Sequence, residues 1–411
     1  MLKNTLLNSG SSILYFFLQW LTTVLSVRFA SFETAGVFAL AISFTNIFYF
    51  LALFGIRNFQ VSDVTNTYSN GQYAAARLVA AFIALVGFLS AAFLTDLSPY
   101  VFGCYFIYMI FKLFEAYTEG YFAVLQKHNR YGMLAVSYSL KGIVSTVAFA
   151  LVLWFTHDLL GAIVVMTVGY FAVILVVDLP MIIRMGPCKI QLRGCAKILY
   201  HCIPLLLISL SVPIMNYITR YAIGLKLSEY DVGQYSSLSS VIVVMSTLAG
   251  AIFVVFIPEI SLWRNQGKWG RIRRLILWVL LFMALAGVAA VIVGKLLGAF
   301  VCVLIFGEEI LDNIDLLIPL LITATLLMIK SFFSALLVSI QQRKQLLIGE
   351  CCGTVACVLT AIPLTSIYGM HGANFSYALG VILQILTLGA FTLIFIRQSE
   401  KGKEHHEENV A

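Results

Sequence analysis

Three lysines of this chain lie in stretches that are otherwise apolar and long enough to cross a membrane: Lys112, Lys141 and Lys330. An ionisable side chain inside a membrane costs at least about 2.5–3.5 kcal/mol, so it marks a functional site by default. Glu115 and Glu119 follow Lys112 at spacings of three and seven residues, which places all three on one face of a helix. The pattern predicts either a cationic cavity that receives an anionic ligand or internal ion pairs, such as Lys141 with Glu115.

The balance of charge favours the cationic cavity. Glu115 is the one carboxylate expected at the depth of the three lysines, and Glu119 lies closer to the inner end of the same stretch. Two further acids, Asp178 and Glu350, are expected near the inner ends of their own apolar stretches. We therefore expect a surplus of positive charge in the interior, with Glu115 and Glu119 as the charge partners.

Metal and nucleophile chemistry has little support. The eight cysteines include no Cys-x-x-Cys pair, and no cysteine and histidine group has the spacing of a zinc site. Most of the cysteines stand in apolar runs, where cysteine behaves as a small hydrophobic residue. We expect no metal site, no cofactor and no catalytic residue.

The composition is that of a membrane protein. Of the 411 residues 61% are hydrophobic and only 11% are charged, with a mean hydropathy of +0.96. A soluble enzyme, a disordered chain and a nucleic-acid-binding protein are excluded, because such a chain could not cover its surface with polar groups. A 20-residue criterion predicts twelve spans, at Leu7–Arg28, Ala35–Gly55, Ala76–Leu94, Tyr100–Tyr121, Met133–Phe155, Leu159–Ile183, Ile198–Tyr221, Val232–Phe256, Leu275–Leu297, Leu316–Ser339, Leu346–Ile367 and Gly372–Phe395.

The basic residues predict the orientation of these spans. If the N-terminus is cytoplasmic, nineteen of the 26 Lys and Arg residues fall on the inner side, four on the outer side and three within spans. Positive charge accumulates on the cytoplasmic side of membrane proteins. We therefore expect both termini in the cytoplasm, as an even number of spans requires.

Short similar segments in the two halves of the chain suggest an internal repeat. Arg28 is followed by Gly36 in the first half, and Arg220 is followed by Gly233 in the second, each pair at the outer end of a first helix. Parallel repeats of this kind hold the substrate between them in transporters, so Arg28 and Arg220 join the candidate cavity. The predicted organisation is an N-terminal lobe over 1–185, a cytoplasmic linker over 186–197, a C-terminal lobe over 198–396 and a polar cytoplasmic tail over 397–411.

Several motifs resemble one family. The stretch Phe54–Asp63, with the sequence FGIRNFQVSD, resembles the loop after the second helix of bacterial polysaccharide flippases, the Wzx-like members of the multidrug/oligosaccharidyl-lipid/polysaccharide (MOP) superfamily. Shorter matches are spread over nearly the whole chain, at Ala35–Phe38, Asp178–Pro180, Val232–Tyr235, Phe306–Glu309 and Tyr368–Ala373.

The resemblance implies an all-α polytopic membrane protein of twelve helices, in two six-helix lobes with a V shape like that of MATE transporters. It implies a flippase that moves undecaprenyl-pyrophosphate-linked oligosaccharide units from the cytoplasmic to the outer leaflet of the bacterial inner membrane for O-antigen, capsule or exopolysaccharide synthesis. The pyrophosphate would bind in the cationic cavity. Membrane lipids, a polysaccharide polymerase and glycosyltransferases are the implied partners, and a proton or sodium gradient is the implied source of coupling.

Two alternatives stay open. A MATE-type cation-coupled antiporter of small molecules has the same architecture, but it should carry carboxylates in the first two spans, which contain none between Leu7 and Arg28 or between Ala35 and Gly55. A membrane-embedded polysaccharide polymerase should carry catalytic acids on a large outer loop. The acids at 308–315 stand on a short loop, where they suit a helix start.

Overall fold

The computed structural model describes the backbone of residues 2–63, 65, 67–184 and 189–408, and the side chains of 10–63, 65, 67–183, 189–240, 242 and 259–400. Every element within these ranges is helical. The first half comprises α1 (Leu2–Phe29), α2 (Phe32–Leu53), α3 (Ile56–Ser62), α4 (Asn70–Phe93), α5 (Pro99–Lys127), α6 (Tyr131–Thr156), α7 (Leu159–Val173), a π-helical turn (Ile174–Asp178) and α8 (Leu179–Arg184). The second half comprises α9 (Cys195–Lys226), α10 (Glu229–Asn265), α11 (Trp269–Phe306), a 3-10 helix (Glu308–Leu316), α12 (Leu317–Ser339) and α13 (Arg343–Glu408).

Polar residues before the apolar runs explain where several helices begin. The Ser31 hydroxyl accepts a hydrogen bond from a backbone N–H in the first turn of α2. Ser69 and Gln72 form a reciprocal capping box at the start of α4. Ser98 caps α5, whose first residue is Pro99, and proline is tolerated there because the first N–H of a helix has no partner within it.

The predicted spans correspond to these helices. In the described part of the chain, ten helical segments are long and apolar enough to cross a membrane. One of them, Arg343–Glu400, holds two predicted spans, which meet at Gly369. There φ is 59° and ψ is −138°, a conformation that glycine adopts without steric cost. With α10 over the predicted eighth span, helices stand at all twelve predicted positions, and the predicted all-α membrane fold is confirmed.

The chain divides into two compact units. The first contains Met1–Tyr217 and Glu229–Gly233, and the second contains Ile218–Ser228 and Gln234–Ala411. The exchange between units thus falls within α9 and at the start of α10. The predicted lobes, with their linker over 186–197, stay a prediction.

Aromatic side chains build the core of the first unit. The rings of Phe38 and Phe149 stack with their centroids 5.3 Å apart, and Phe88 is fully buried in the same core cluster. Large apolar side chains such as Phe82 and Trp154 are instead exposed, at 67% and 57%. Exposed aromatic rings on a spanning helix suit contact with lipid chains, which are as apolar as the core.

The two glycines of the sequence repeat lie against each other within the first unit. A Cβ atom on Gly36 would stand 1.8 Å from the carbonyl oxygen of Glu229, and one on Gly233 would stand 1.9 Å from that of Phe32. The backbones of α2 and the first turn of α10 therefore touch, as small residues allow in membrane helices. The motifs that suggested the repeat mark this crossing.

Candidate functional site

Lys112 forms an ion pair within its own helix, α5. Its Nζ lies 2.7 Å from Oε2 of Glu115, one turn further along, and both side chains are buried. The hydroxyl of Tyr49, on α2, donates to the other oxygen of this carboxylate at 3.3 Å. The ammonium also lies 5.0 Å from the centroid of the Tyr49 ring, where the ring's π electrons attract a cation. Glu115 is therefore the charge partner of Lys112.

Lys141, on α6, pairs with a different carboxylate from the one expected. Its Nζ lies 2.5 Å from Oδ2 of Asp178, and both side chains are fully buried. The Ser137 hydroxyl donates to Oδ1 of Asp178 at 2.6 Å. Lys141 is therefore paired internally, as the alternative to the cationic cavity supposed, but with Asp178 and not with Glu115, the example given there.

The position of Asp178 in its helix explains this difference. The sequence suggested a helix end at Asp178-Leu179-Pro180, but the helix continues through a π turn from Ile174 to Asp178 and then through α8. Proline lacks the N–H that an α-helix needs at this position, and a π turn is one way in which a helix absorbs such an interruption. Asp178 is thereby held inside the unit, where it faces α6.

Lys330, in the second unit, has a carboxylate of its own as well. Its Nζ, on α12, lies 2.7 Å from Oε1 of Glu350, on α13. Glu350 also accepts hydrogen bonds from the Ser334 hydroxyl at 3.0 Å and from Nε2 of Gln384 at 3.2 Å. Glu350 is only 1% exposed, because α13 begins at Arg343 and its first two turns lie against α12.

Glu119 binds an arginine and not a lysine. Nη1 of Arg57, on α3, contacts Oε2 of Glu119, and the Tyr138 hydroxyl donates to Oε1 at 2.5 Å. Nη2 of Arg57 donates to Oε1 of Gln126 at 3.2 Å. Arg57 had been counted among the residues of an inner loop, but α3 folds it back against α5. The sequence offered a signal for this, because FGIRNFQVSD is rich in apolar residues for a loop.

The two arginines of the repeat have different surroundings. Arg28 is exposed in the last turn of α1. Arg220 is half-buried on α9, and its Nε donates to the Ser236 hydroxyl at 2.9 Å. Neither belongs to the lysine and carboxylate pairs described above.

The predicted surplus of positive charge on the lysines is wrong in this structure. Each lysine has one carboxylate within 2.7 Å: Glu115 for Lys112, Asp178 for Lys141 and Glu350 for Lys330. The error arose because Asp178 and Glu350, although they lie inside predicted spans, were expected near the inner ends of those spans and not beside the lysines. The structure provides three lysine–carboxylate ion pairs instead, two in the first unit and one in the second. Their role in binding stays a prediction.

Comparison with known proteins places this arrangement in context. Residues 1–263 match the model of the family described as "Polysaccharide biosynthesis protein". The chain is similar to the capsular polysaccharide biosynthesis protein CapF of Staphylococcus aureus, with 25% identity over 328 residues that cover 78% of this chain and 81% of CapF.

Solved structures share the fold. A multidrug resistance MATE family transporter of the MOP superfamily, solved in an inward-facing conformation, matches with a TM-score of 0.74 and 13% identity over 94% of this chain and 96% of that one. A MOP superfamily transporter from Pyrococcus furiosus matches with a TM-score of 0.65 and 13% identity over 97% and 96% of the two chains.

Proposed function

The chain belongs to the polysaccharide biosynthesis protein family, and we propose that it is a flippase for lipid-linked oligosaccharide units of a surface polysaccharide. The observation that carries this proposal is the family match over residues 1–263, on a fold shared with MOP superfamily transporters. The predicted family is thus confirmed, and the shared fold supports a multi-pass membrane transporter rather than an enzyme. The fold shared with MOP superfamily transporters supports transport over the polymerase alternative.

We further propose that the cargo is an oligosaccharide linked to undecaprenyl pyrophosphate, moved from the cytoplasmic to the outer leaflet of a bacterial inner membrane. The name of CapF supports a capsule or a related surface polymer as the product. Both termini would then face the cytoplasm, as the distribution of basic residues predicts. A polymerase and glycosyltransferases would act on either side of the transport step.

The ion pairs suggest how a pyrophosphate could be held for part of the cycle. Lys112, Lys141 and Lys330 would exchange their carboxylates for phosphate oxygens as the headgroup enters. Two of these lysines belong to the first unit and one to the second. A ligand shifts the balance between two access states only through its different affinity for them. Arg28 and Arg220, at helix ends expected on the outer side, would receive the headgroup before its release.

The same exchange gives a reason for coupling to a proton gradient. A carboxylate that loses its lysine remains inside the membrane, where an unpaired charge is costly. Taking up a proton removes that charge. Glu115, Asp178 and Glu350 are the groups that we propose for this role, and protons are therefore preferred to sodium ions as the coupling ion.

A gene deletion tests the proposed function in the cell. Without this protein, surface polysaccharide should be lost, and single lipid-linked repeat units should accumulate with their sugars facing the cytoplasm. Enzymatic labelling of the sugars in intact and in opened membrane vesicles distinguishes the two leaflets. If the single units reach the outer leaflet at the normal rate in the deletion strain, another protein carries out the step.

A further inference from the structure

A cavity of about 510 Å³ lies within the first unit, away from the lysine pairs. Its wall is formed by α3, the first turns of α4, the second half of α5, α8 and the segment 189–191. All of these parts face the side that the distribution of basic residues assigns to the cytoplasm. The wall includes Arg77, Lys189 and His128 and contains no Asp or Glu, so the electrostatic character of the cavity is positive.

Arg77 is the residue that indicates which kind of ligand this cavity can bind. Its side chain is buried, at 4% exposure. Its Nη2 donates to Oε1 of Gln60 at 3.3 Å, but Nε and Nη1 have no hydrogen-bond partner among the described residues. These two nitrogens carry three of the five N–H donors of a guanidinium group. A buried donor without an acceptor costs about 1–3 kcal/mol, and more when it is charged, so the group is prepared for an acceptor that the protein itself does not supply.

The neighbouring charges leave Arg77 uncompensated. Glu119 is the carboxylate within its electrostatic reach, and Glu119 is already bound to Arg57 and to the Tyr138 hydroxyl. The lysines Lys112 and Lys141 have carboxylates of their own. Arg77 is therefore the cation that remains in the described interior of the first unit.

The packing around Arg77 holds the guanidinium at the wall. Gly120, on α5, leaves the space in which it lies, because a Cβ atom there would stand 2.8 Å from both Cδ and Nε of Arg77. Asn70 and the rest of the first turn of α4 form another part of the wall, and the N-terminal end of a helix carries partial positive charge. Tyr117, at the same cavity, is 51% exposed, as expected where a cavity opens towards lipid.

We propose that this cavity binds a phosphate ester group, with the guanidinium of Arg77 as its main contact and Lys189 at its mouth. A phosphate offers several acceptor oxygens to the three donors, and arginine binds it more strongly than it binds neutral acceptors. The volume exceeds that of a phosphate alone and leaves room for the group that is esterified to it. The phosphate could belong to the headgroup of an anionic phospholipid or to a soluble phosphate ester. This inference does not depend on the proposed transport function.

The test uses purified full-length protein, freed of lipid in detergent. Two probes are titrated: inorganic phosphate, against sodium chloride of equal ionic strength, and phosphatidylglycerol, with bound lipid counted by native mass spectrometry. We expect the wild-type protein to bind at least one probe. Arg77→Gln should weaken that binding by about tenfold or more, since it removes a charged hydrogen-bonding group. Binding of phosphatidylglycerol alone identifies a lipid headgroup site, and binding of phosphate alone identifies a soluble ligand.

Two further variants keep the test decisive. Gly120→Ala retains the charge but displaces the flexible end of Arg77, so it should weaken binding even if Arg77→Gln does not fold. Arg271→Gln removes one positive charge from an exposed position at the start of α11 and should bind as the wild-type protein does. Wild-type protein that binds neither probe contradicts the proposal. Equal affinity of the Gly120→Ala and wild-type proteins, or an equal loss in Arg271→Gln, contradicts it as well.

Discussion

Removing the carboxylate of Glu350 should destabilise the second unit more than removing the ammonium of Lys330. The two groups lie 2.7 Å apart, and their side chains are 2% and 8% exposed. Glu350 also accepts hydrogen bonds from Ser334 and Gln384. The ammonium of Lys330, in contrast, is balanced by the carboxylate of Glu350. Glu350→Gln therefore leaves a buried cation without a counter-charge, but Lys330→Met leaves a carboxylate with two remaining donors.

The expected size of the effect follows from the burial of the pair. Breaking such a pair on one side costs about 3–5 kcal/mol, which corresponds to a fall of roughly 6–20 °C in the unfolding temperature of a unit of this size. Lys330→Met should cost about half as much, because the donors of Ser334 and Gln384 stabilise the remaining charge. The double variant Lys330→Met/Glu350→Gln buries no charge at this site and should be more stable than Glu350→Gln alone.

Thermal unfolding of the four purified proteins in detergent measures these differences as a double-mutant cycle. Glu308→Gln, which changes an exposed acid of the same unit, serves as the control and should unfold at the wild-type temperature. If Lys330→Met is as damaging as Glu350→Gln, the two extra donors do not stabilise the carboxylate. If the double variant is no more stable than Glu350→Gln, the pair is not an energetic unit, and the proposed exchange with phosphate loses its basis.

Three further predictions concern topology, pH and packing. Alkaline phosphatase fused after Lys226 should be active and fused after Arg343 inactive, because the first site is expected outside and the second inside; the reverse pattern would refute the orientation. Burial tends to raise the pKa of Asp63, but hydrogen bonds from two backbone N–H groups and a tyrosine hydroxyl outweigh it and lower the pKa to about 2. These bonds therefore stabilise the fold above the ordinary pKa of about 4, and their contribution is lost as the pH falls towards 2. Asp63→Asn should flatten the dependence of stability on pH across that interval. An unchanged profile would contradict the assignment. Gly233→Leu should lower the unfolding temperature, because its Cβ would stand 1.9 Å from a backbone oxygen of α2. Gly270→Leu is the control, because no heavy atom lies within 4 Å of the Cβ position there. Equal effects of the two substitutions would contradict the close crossing of α2 and α10.

The helices could be predicted from the sequence, because spanning a membrane imposes a length and an apolar composition that can be counted. The caps at Ser31 and Ser98 stand four and two residues before the predicted starts of two spans. The break at Gly369 falls between the last two. The interior lysines Lys112, Lys141 and Lys330 could also be identified from the sequence, because an ionisable residue in an apolar run is conspicuous.

The partners of these lysines could not be predicted, because they depend on where helices end and on which helices are neighbours. Hydropathy placed Glu350 inside a predicted span, but it does not show that this part of α13 packs against Lys330 on α12. The pairing of Asp178 with Lys141 depends on the π turn at Ile174–Asp178, which hydropathy does not show. Arg77 is the second residue of the predicted span Ala76–Leu94, but Ser69 and Gln72 have the spacing of a capping box and place the start of α4 about two turns before it.

Transport by purified protein tests the central claim most directly. The protein is reconstituted into vesicles with a fluorescent undecaprenyl-pyrophosphate-linked oligosaccharide, and an added glycosidase reports the fraction of sugar on the outer surface over time. We expect the wild-type protein to expose the inner pool, and Lys330→Ala to slow this exposure in protein of confirmed fold. Vesicles with wild-type protein that expose the inner pool no faster than empty vesicles would contradict the claim that this chain flips lipid-linked oligosaccharides. A wild-type rate in Lys330→Ala would instead refute only the proposed role of the lysine.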